Sequence, residues 1–312
     1  MKEKKSFRSS KKQAHYVVTR KMRLGKSKAE LGKDSKSYHR SIGSVVSHKS
    51  SLVRVADWMK ERGYMQGLHR ITEEQAKEYL GERITQVQQS TLNHDIAVIN
   101  KNLEMSFKQS DFKSTYDPPI KLSEESRAYS TNEIQKIIEH QNPHNALSTK
   151  IVAETGIRAK ELMSLQKIEL QPISDRSSGK RVWSGNRFLG RGGISYSVIG
   201  KGGLIREVRM SKELSQELEK KCFESPEFCK DRNVESNRTY NIGYGNSWSK
   251  SFQSASERVL GYSSGGHGLR HSYAQERMNT LQNSGLSFEK SLEAVSQELG
   301  HFRPEITKVY LR

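Results

Sequence analysis

Residues 267–274 are His-Gly-Leu-Arg-His-Ser-Tyr-Ala, and residues 299–310 are Leu-Gly-His-Phe-Arg-Pro-Glu-Ile-Thr-Lys-Val-Tyr. On a helix, His267, Arg270 and His271 fall at i, i+3 and i+4 and share one face. For an arbitrary basic trio the simplest interpretation is a solvated face. Here Leu269, Tyr273 and Ala274 predict a packed helix, and a buried arginine needs an anion or a carboxylate. The stretch therefore predicts an anion-binding site.

A second basic element lies earlier in the chain, where residues 155–162 are Thr-Gly-Ile-Arg-Ala-Lys-Glu-Leu. The glycine permits a tight backbone turn that presents Arg158 at the head of the next helix. Arginine offers a fixed fork of donors that matches phosphate oxygens, and imidazole can donate to them or move protons. Together the three stretches favour a site that holds a phosphate.

The three motifs T-G-x-R-x-x-E-L, H-x-L-R-H-x-x-A and L-G-H-x8-Y, in this order, resemble the tyrosine recombinases, the phage-integrase family. Val198-Ile-Gly-Lys-Gly resembles the β-hairpin turn in which that family carries a lysine, although Lys201 taken alone would be an exposed turn lysine. The resemblance implies six catalytic residues, which are Arg158, Lys201, His267, Arg270, His301 and Tyr310.

The expected chemistry is attack of a tyrosine oxygen on a DNA phosphodiester. The two arginines would stabilise the growing phosphate charge, and His301 would donate to the phosphate. Tyr310 is the expected nucleophile, with His267 as its base and Lys201 as the acid for the leaving 5′-oxygen. No carboxylate cluster for Mg²⁺ is visible in the sequence, so neither a metal nor another cofactor is expected.

Two neighbouring residues carry less certain roles in the same pattern. Glu161, one turn after Arg158, either orients an arginine or is an acid on the helix surface. His271 is expected to support its helix rather than to contact substrate. The two alternatives for Glu161 stay open on sequence alone.

The composition agrees with a polyanionic partner. The chain has 312 residues and a formal net charge of +18, with a pI near 9.8. No apolar run approaches the ~18–20 residues that span a bilayer, and no signal peptide is evident, so no membrane is expected. Cys222 and Cys229 complete neither a zinc site nor a disulfide framework. These features predict a cytoplasmic, nucleoid-associated protein.

The expected architecture is mainly α, with a small β-sheet or hairpin in the C-terminal domain, arranged as a two-domain DNA clamp. Residues 1–42 carry a large basic excess and predict an arm that is solvated or that follows DNA phosphates. Helical periodicity predicts a small all-helical domain over 43–108, and the resemblance implies that this is the core-binding domain. Pro118-Pro119 marks a linker over 109–128. The catalytic domain is expected over 129–312. Within it, Val182-Trp183 predicts a short strand, and the chain after Ser211 is expected to be helical.

The resemblance implies a site-specific recombinase or integrase of a bacterium or a mobile genetic element. Its expected partner is double-stranded DNA, on which four protomers assemble, with accessory DNA-bending proteins. The family usually continues past its tyrosine with a tail helix that docks on a neighbour, whereas here Leu311 and Arg312 follow Tyr310. Two rival hypotheses are a type IB topoisomerase, which reseals the original strand, and a DNA-binding protein that keeps the fold without cleaving.

Overall fold

The computed structural model describes residues 8–24, 26, 28–117, 126–176, 181–200, 202–231 and 234–312. The chain divides into two compact units, Met1–Lys121 and Leu122–Arg312, called here the first and second units. Helices predominate, and the strands form two small antiparallel sheets in the second unit. The predicted fold class, mainly α with a small sheet in the C-terminal part, is confirmed.

The regular elements of the first unit are all helical in its described part, where Met22 and His39 form an isolated β-bridge. Its α-helices are α1 Ser10–Thr19, α2 Lys28–Leu31, α3 Ile42–Glu61, α4 Glu73–Arg83 and α5 Gln89–Leu103, with 3₁₀ turns at Gly32–Lys36, Leu68–Arg70 and Gln109–Asp111. Thr72 caps α4 by the capping box that the sequence predicts, because its hydroxyl accepts from the Gln75 amide while the Gln75 side chain accepts from the Thr72 amide.

The prediction of a solvated or DNA-following arm over residues 1–42 is wrong for α1, which lies within that range. Ala14, Val17 and Val18 of α1 are buried in the core of the first unit, where α1 packs on α3. Their spacing of i, i+3 and i+4 is that of one apolar helix face. The many lysines and arginines around these three apolar residues made the segment look solvated when it was judged by its composition.

The predicted linker also begins too early. Phe112 is buried in the same core and packs edge-on against Phe107 at 5.8 Å between ring centroids. The amide of Thr115 donates to the Ile84 carbonyl at 3.0 Å. The first unit therefore extends past residue 108, and Pro118-Pro119 lies outside the described residues.

The second unit surrounds a three-stranded sheet with helices. Its elements are α6 Thr131–Glu139, α7 Pro143–Thr155, β1 Gln166–Lys167, β2 Ile194–Ile199, β3 Ile205–Met210, α8 Lys212–Glu219, β4 Cys222–Asp231, β5 Val234–Tyr240, α9 Gly245–Leu260, α10 Gly268–Asn283, α11 Phe288–Glu298 and α12 Pro304–Thr307, with 3₁₀ turns at Glu161–Ser164 and Lys308–Leu311. The predicted capping box at Ser130 and Glu133 opens α6. No described helix is long and apolar enough to cross a membrane.

The strands differ from the sequence prediction in two places. The first sheet has the order β1-β2-β3, all antiparallel, and Val182-Trp183 forms no strand in it. The second sheet is the hairpin of β4 and β5, within a stretch that was predicted to be helical. The hairpin is mostly exposed, so charged and apolar residues alternate without the long apolar runs that mark a buried strand.

Three clusters of buried apolar residues fill the described chain, one in the first unit and two in the second. The larger cluster of the second unit joins the first sheet to α7 and α9 through residues such as Tyr196, Trp248 and Phe252. The smaller one joins α10 to α11 and includes Tyr310. The last helical turn is therefore packed against the body of the second unit.

Candidate active site

The first motif is positioned by the end of α7. Gly156 caps this helix in the left-handed region at φ +63°. A Cβ at this position would lie 2.6 Å from the Tyr273 ring and 2.9 Å from Leu299, so the close approach also requires glycine. Arg158 follows two residues later in the loop before the 3₁₀ turn Glu161–Ser164, which replaces the helix that the sequence predicts.

Glu161 holds Arg158 in place. Its carboxylate accepts from the Arg158 amide at 2.8 Å and from Arg158 Nη1 at 2.7 Å. It also accepts from Arg206 Nη2 at 2.8 Å. Glu161 is only 3% exposed, so of the two alternatives left open by the sequence, the residue that orients an arginine is the one observed.

The charge on Glu161 is stabilised by its arginine neighbours. Burial alone would raise the pKa of this carboxyl, but Arg206, Arg270 and Arg158 outweigh it and bring the pKa to about 2. The group is therefore a carboxylate at neutral pH. A single buried negative charge then faces three guanidinium groups, and this surplus of positive charge suits an anion.

Arg270 lies on α10 with its side chain inside the second unit. It is 1% exposed, and it donates from Nη1 to the Gly156 carbonyl and from Nη2 to the Leu299 carbonyl at 3.0 Å. Burial and the nearby charge of Arg158 lower the pKa of Arg270 to about 10, which leaves it charged at neutral pH. Arg270 thus ties the start of the first motif to the start of the third.

His301 follows α11 and faces Arg158. Arg158 Nη2 lies 3.2 Å from His301 Nε2. Because a guanidinium has no acceptor, Nε2 must accept, and the neutral ring carries its proton on Nδ1. Burial, followed by the charges of Arg158 and Arg270, lowers the pKa of His301 to about 4. His301 is therefore neutral at pH 7.

Tyr310 lies at the centre of these side chains. It is 7% exposed, and its ring centroid lies 5.0 Å from that of His271, 5.5 Å from that of His267 and 6.3 Å from that of His301. The Arg270 guanidinium carbon lies 5.5 Å from the same ring centroid. The Tyr310 carbonyl accepts from Gln275 Nε2 on α10 at 3.2 Å, which fixes the last turn against that helix.

The two histidines of the second motif differ in exposure. His267 stands at the N-cap of α10 and is exposed, whereas His271, one turn later, is buried. Although His267 is exposed, its ring packs against those of His271 and Tyr310, and the partial loss of water there, followed by the charge of Arg270, lowers its pKa. Desolvation followed by the charges of Arg127 and Arg270 lowers the pKa of His271. Both rings are neutral at pH 7, and only His267 can be reached from solvent.

Of the six predicted catalytic residues, five converge in the second unit, and Lys201 lies outside the described residues. The turn that precedes it is described. A Cβ on Gly200 would lie 3.4 Å from Arg206 Nη1 and 3.5 Å from Glu161 Oε1. The β2–β3 turn therefore begins beside the arginine–glutamate contacts of the site.

Sequence reasoning missed Arg206 and Glu298. Arg206 is completely buried on β3 and shares an inward face with Val208 and Met210 at a period of two, which was the available signal. The carboxylate of Glu298 accepts from Arg277 Nε at 3.0 Å and from the Tyr273 hydroxyl at 2.8 Å. Arg206 contacts the site through Glu161, whereas the Glu298 carboxylate joins α11 to α10.

No protein-family model matches the chain, and no curated protein matches it. Among solved structures, it is similar to the XerH site-specific recombinase bound to palindromic difH substrate in a post-cleavage complex, with a TM-score of 0.54, 15% identity and coverage of 97% of this chain and 91% of that one. The chain is also similar to XerH bound to difH substrate in a pre-cleavage complex. The TM-score is 0.53 and the identity 15%, and the match covers 97% of this chain and 91% of that one. A third similar structure is a lambda integrase(75-356) dimer bound to a COC′ core site. Its TM-score is 0.50 and its identity 13%, and the match covers 87% of this chain and 89% of that one.

The fold is therefore that of site-specific recombinases and integrases. The resemblance to tyrosine recombinases, first drawn from three short motifs, is confirmed at the level of the fold.

Proposed function

We propose that this chain is a site-specific DNA recombinase that cleaves and rejoins strands through a covalent 3′-phosphotyrosyl bond to Tyr310. The observation that carries the proposal is the placement of the Tyr310 ring among three imidazoles, with the Arg270 guanidinium over it at 5.5 Å. A phenol in this setting has cationic donors for a phosphate on one side and neutral imidazoles that can accept its proton.

In the proposed cleavage step the Tyr310 oxygen forms a bond to phosphorus, and the bond from phosphorus to the 5′-oxygen breaks. Neutral His267 takes the phenol proton, since its lowered pKa leaves it unprotonated at pH 7. Lys201 gives a proton to the leaving 5′-oxygen. Arg158 and Arg270 stabilise the charge that grows on the non-bridging oxygens.

His301 has a part that depends on the phosphate. In the free protein its Nε2 accepts from Arg158 Nη2. A bound phosphate would take over that arginine donor, because an anion is a better acceptor than a neutral imidazole. His301 is then released to its other tautomer and can donate Nε2–H to the phosphate.

The covalent bond conserves the energy of the broken phosphodiester, so a 5′-hydroxyl from another duplex can attack it and rejoin the strand without ATP. We expect the two units to clamp double-stranded DNA and four protomers to assemble on it, with accessory DNA-bending proteins. The net charge of +18 favours this polyanionic partner. We expect the protein to act in the cytoplasm, at the nucleoid.

The test uses nicked duplexes cut from the DNA that flanks the gene for this chain. Cleavage next to the nick releases a short strand, so the covalent complex accumulates and survives a denaturing gel. We expect such a complex and, with a second duplex, strands joined between the two. Relaxation of plasmid without joined strands would indicate a topoisomerase, and retarded DNA without a covalent complex would indicate a DNA-binding protein.

A further inference from the structure

We propose that Arg206 is a positioning residue of the active site. It closes a ring of hydrogen bonds that fixes the positions of Arg158 and His301 relative to each other. The proposal rests on the function proposed above. Arg206 is completely buried and does not reach the Tyr310 ring through any described contact, so it acts through other residues. Its guanidinium lies between the first and third motifs, at the base of the β2–β3 turn.

The ring can be followed atom by atom. Arg206 Nη2 donates to Glu161 Oε2 at 2.8 Å, and Arg158 Nη1 donates to Glu161 Oε1 at 2.7 Å. Arg158 Nη2 then donates to His301 Nε2 at 3.2 Å. The chain runs back from His301 to the Glu298 carbonyl, which accepts from Arg206 Nε at 3.0 Å. Arg206 therefore contacts the ring at two points, a carboxylate and a main-chain carbonyl.

Glycines on both sides of Arg206 make this geometry attainable. A Cβ at Gly300 would lie 3.1 Å from Arg206 Cδ and 3.3 Å from its Nε, so the guanidinium arm packs directly on the backbone that leads into His301. On the other side, a Cβ at Gly200 would lie 3.4 Å from Arg206 Nη1. Within the described part of the chain, Nη1 has no hydrogen-bond partner. Arg206 thus lies beside Gly200, which precedes Lys201, and beside Gly300, which precedes His301.

The charge of Arg206 acts on the same residues. Of the three arginines whose charges lower the pKa of Glu161, Arg206 has the largest effect. The charge of Arg206 also contributes to the lowered pKa of His301. An apolar replacement of similar length would fill the space but would leave the Glu161 carboxylate with fewer donors. A lysine would keep the charge, but its single nitrogen cannot reproduce the two directed bonds of the guanidinium.

The experiment compares the full chain with its Arg206→Lys and Arg206→Gln variants. The matched control is Arg277→Lys, which alters another completely buried arginine whose partners are the Glu298 carboxylate and the Leu189 carbonyl. Two quantities are measured. One is the cleavage rate of a nicked duplex from the flanking DNA at saturating protein, with its Kd. The other is the titration of His301 followed by NMR on labelled imidazoles.

We expect Arg206→Lys to cleave about 10²-fold more slowly at saturation, because a displacement on the order of 1 Å in a reacting group costs about that much. Its Kd for DNA should change less than threefold. In Arg206→Gln the pKa of His301 should rise, since a nearby positive charge is lost. Arg277→Lys should melt at a lower temperature than the wild type but keep its cleavage rate and its His301 titration.

Cleavage at the wild-type rate by a folded Arg206→Lys protein would overturn the proposal, and so would an equal loss of rate in Arg277→Lys. If the lysine protein does not fold, Arg206→Gln decides by the same two measurements. The titration also separates the two proposals. A wild-type chain that forms no covalent complex refutes the proposed function, whereas an unchanged His301 pKa in Arg206→Gln refutes the ring whether or not the protein cleaves DNA.

Discussion

Replacing Glu161 by glutamine should destabilise the second unit strongly, although the two side chains have nearly the same shape. The carboxylate accepts from Arg158 and from Arg206 and is almost fully buried. Glutamine offers one acceptor oxygen, and its amide hydrogens would face guanidinium donors. The substitution therefore leaves buried cations without their partner.

The magnitude follows from two independent arguments. A folded-state pKa of about 2 against an ordinary 4.5 for Glu161 corresponds to roughly 3 kcal/mol, because a tenfold change in proton affinity is about 1.4 kcal/mol. Breaking a buried ion pair by removing one partner costs about 3–5 kcal/mol. With a urea m-value of about 2 kcal/mol per molar, the unfolding midpoint should fall by about 1.5 M.

The assay is urea unfolding of the full chain at several pH values, with Glu219→Gln as the control. Glu219 accepts from the hydroxyls of Tyr196 and Tyr240, which a glutamine oxygen can also accept. We expect its midpoint to fall less than half as far. Since the pKa of Glu161 is lowered on folding, its contribution is fully present above pH 4.5 and is lost as the pH falls through about 2. Equal midpoints for the two variants at pH 7, or a stability difference from wild type that does not shrink toward pH 2, would refute the argument.

Three further outcomes are expected. Cleavage should proceed in EDTA and without ATP, because the arginines supply the charge stabilisation; a cleavage step that strictly requires Mg²⁺ would contradict this. Lys201→Ala should slow the loss of a 5′-oxygen leaving group far more than that of a 5′-thio group, because a thiolate leaves without a proton, whereas Lys212→Ala should slow neither; an equal loss on both would mean that Lys201 only binds phosphate. Neutralising the exposed Lys11 and Lys12 of α1 together should reduce the log–log salt slope of DNA binding by about 1.8 if each contacts a phosphate, and an unchanged slope would exclude α1 from the interface.

Local chemistry made much of the second unit predictable. The turn at Gly156 needs a residue that tolerates a positive φ, and the capping box at Ser130 satisfies amides that any helix start exposes. The spacing of His267 and Arg270 already placed them on one helix face. These features depend on neighbours within four residues, so they can be predicted from the sequence alone.

The rest depended on contacts between distant parts of the chain. Arg206 donates a hydrogen bond to Glu161, which lies 45 positions away. No residue near Arg206 in the sequence indicates that Glu161 is its partner. The hairpin of β4 and β5 is held by pairing of one strand to the other and carries mixed charges on its exposed faces. α1 was missed because three apolar residues among many cations are a weak signal until α3 covers them.

The central claim is that Tyr310 becomes joined to DNA, and the most direct measurement is mass spectrometry of the peptide that carries DNA after cleavage of a nicked duplex. We expect one modified residue, Tyr310, linked to a 3′-phosphate. We also expect Tyr310→Phe to form no covalent complex while binding DNA with nearly the wild-type Kd, since the change removes one hydroxyl and little packing volume. DNA attached to any other residue, or a covalent complex formed by the phenylalanine variant, would contradict it.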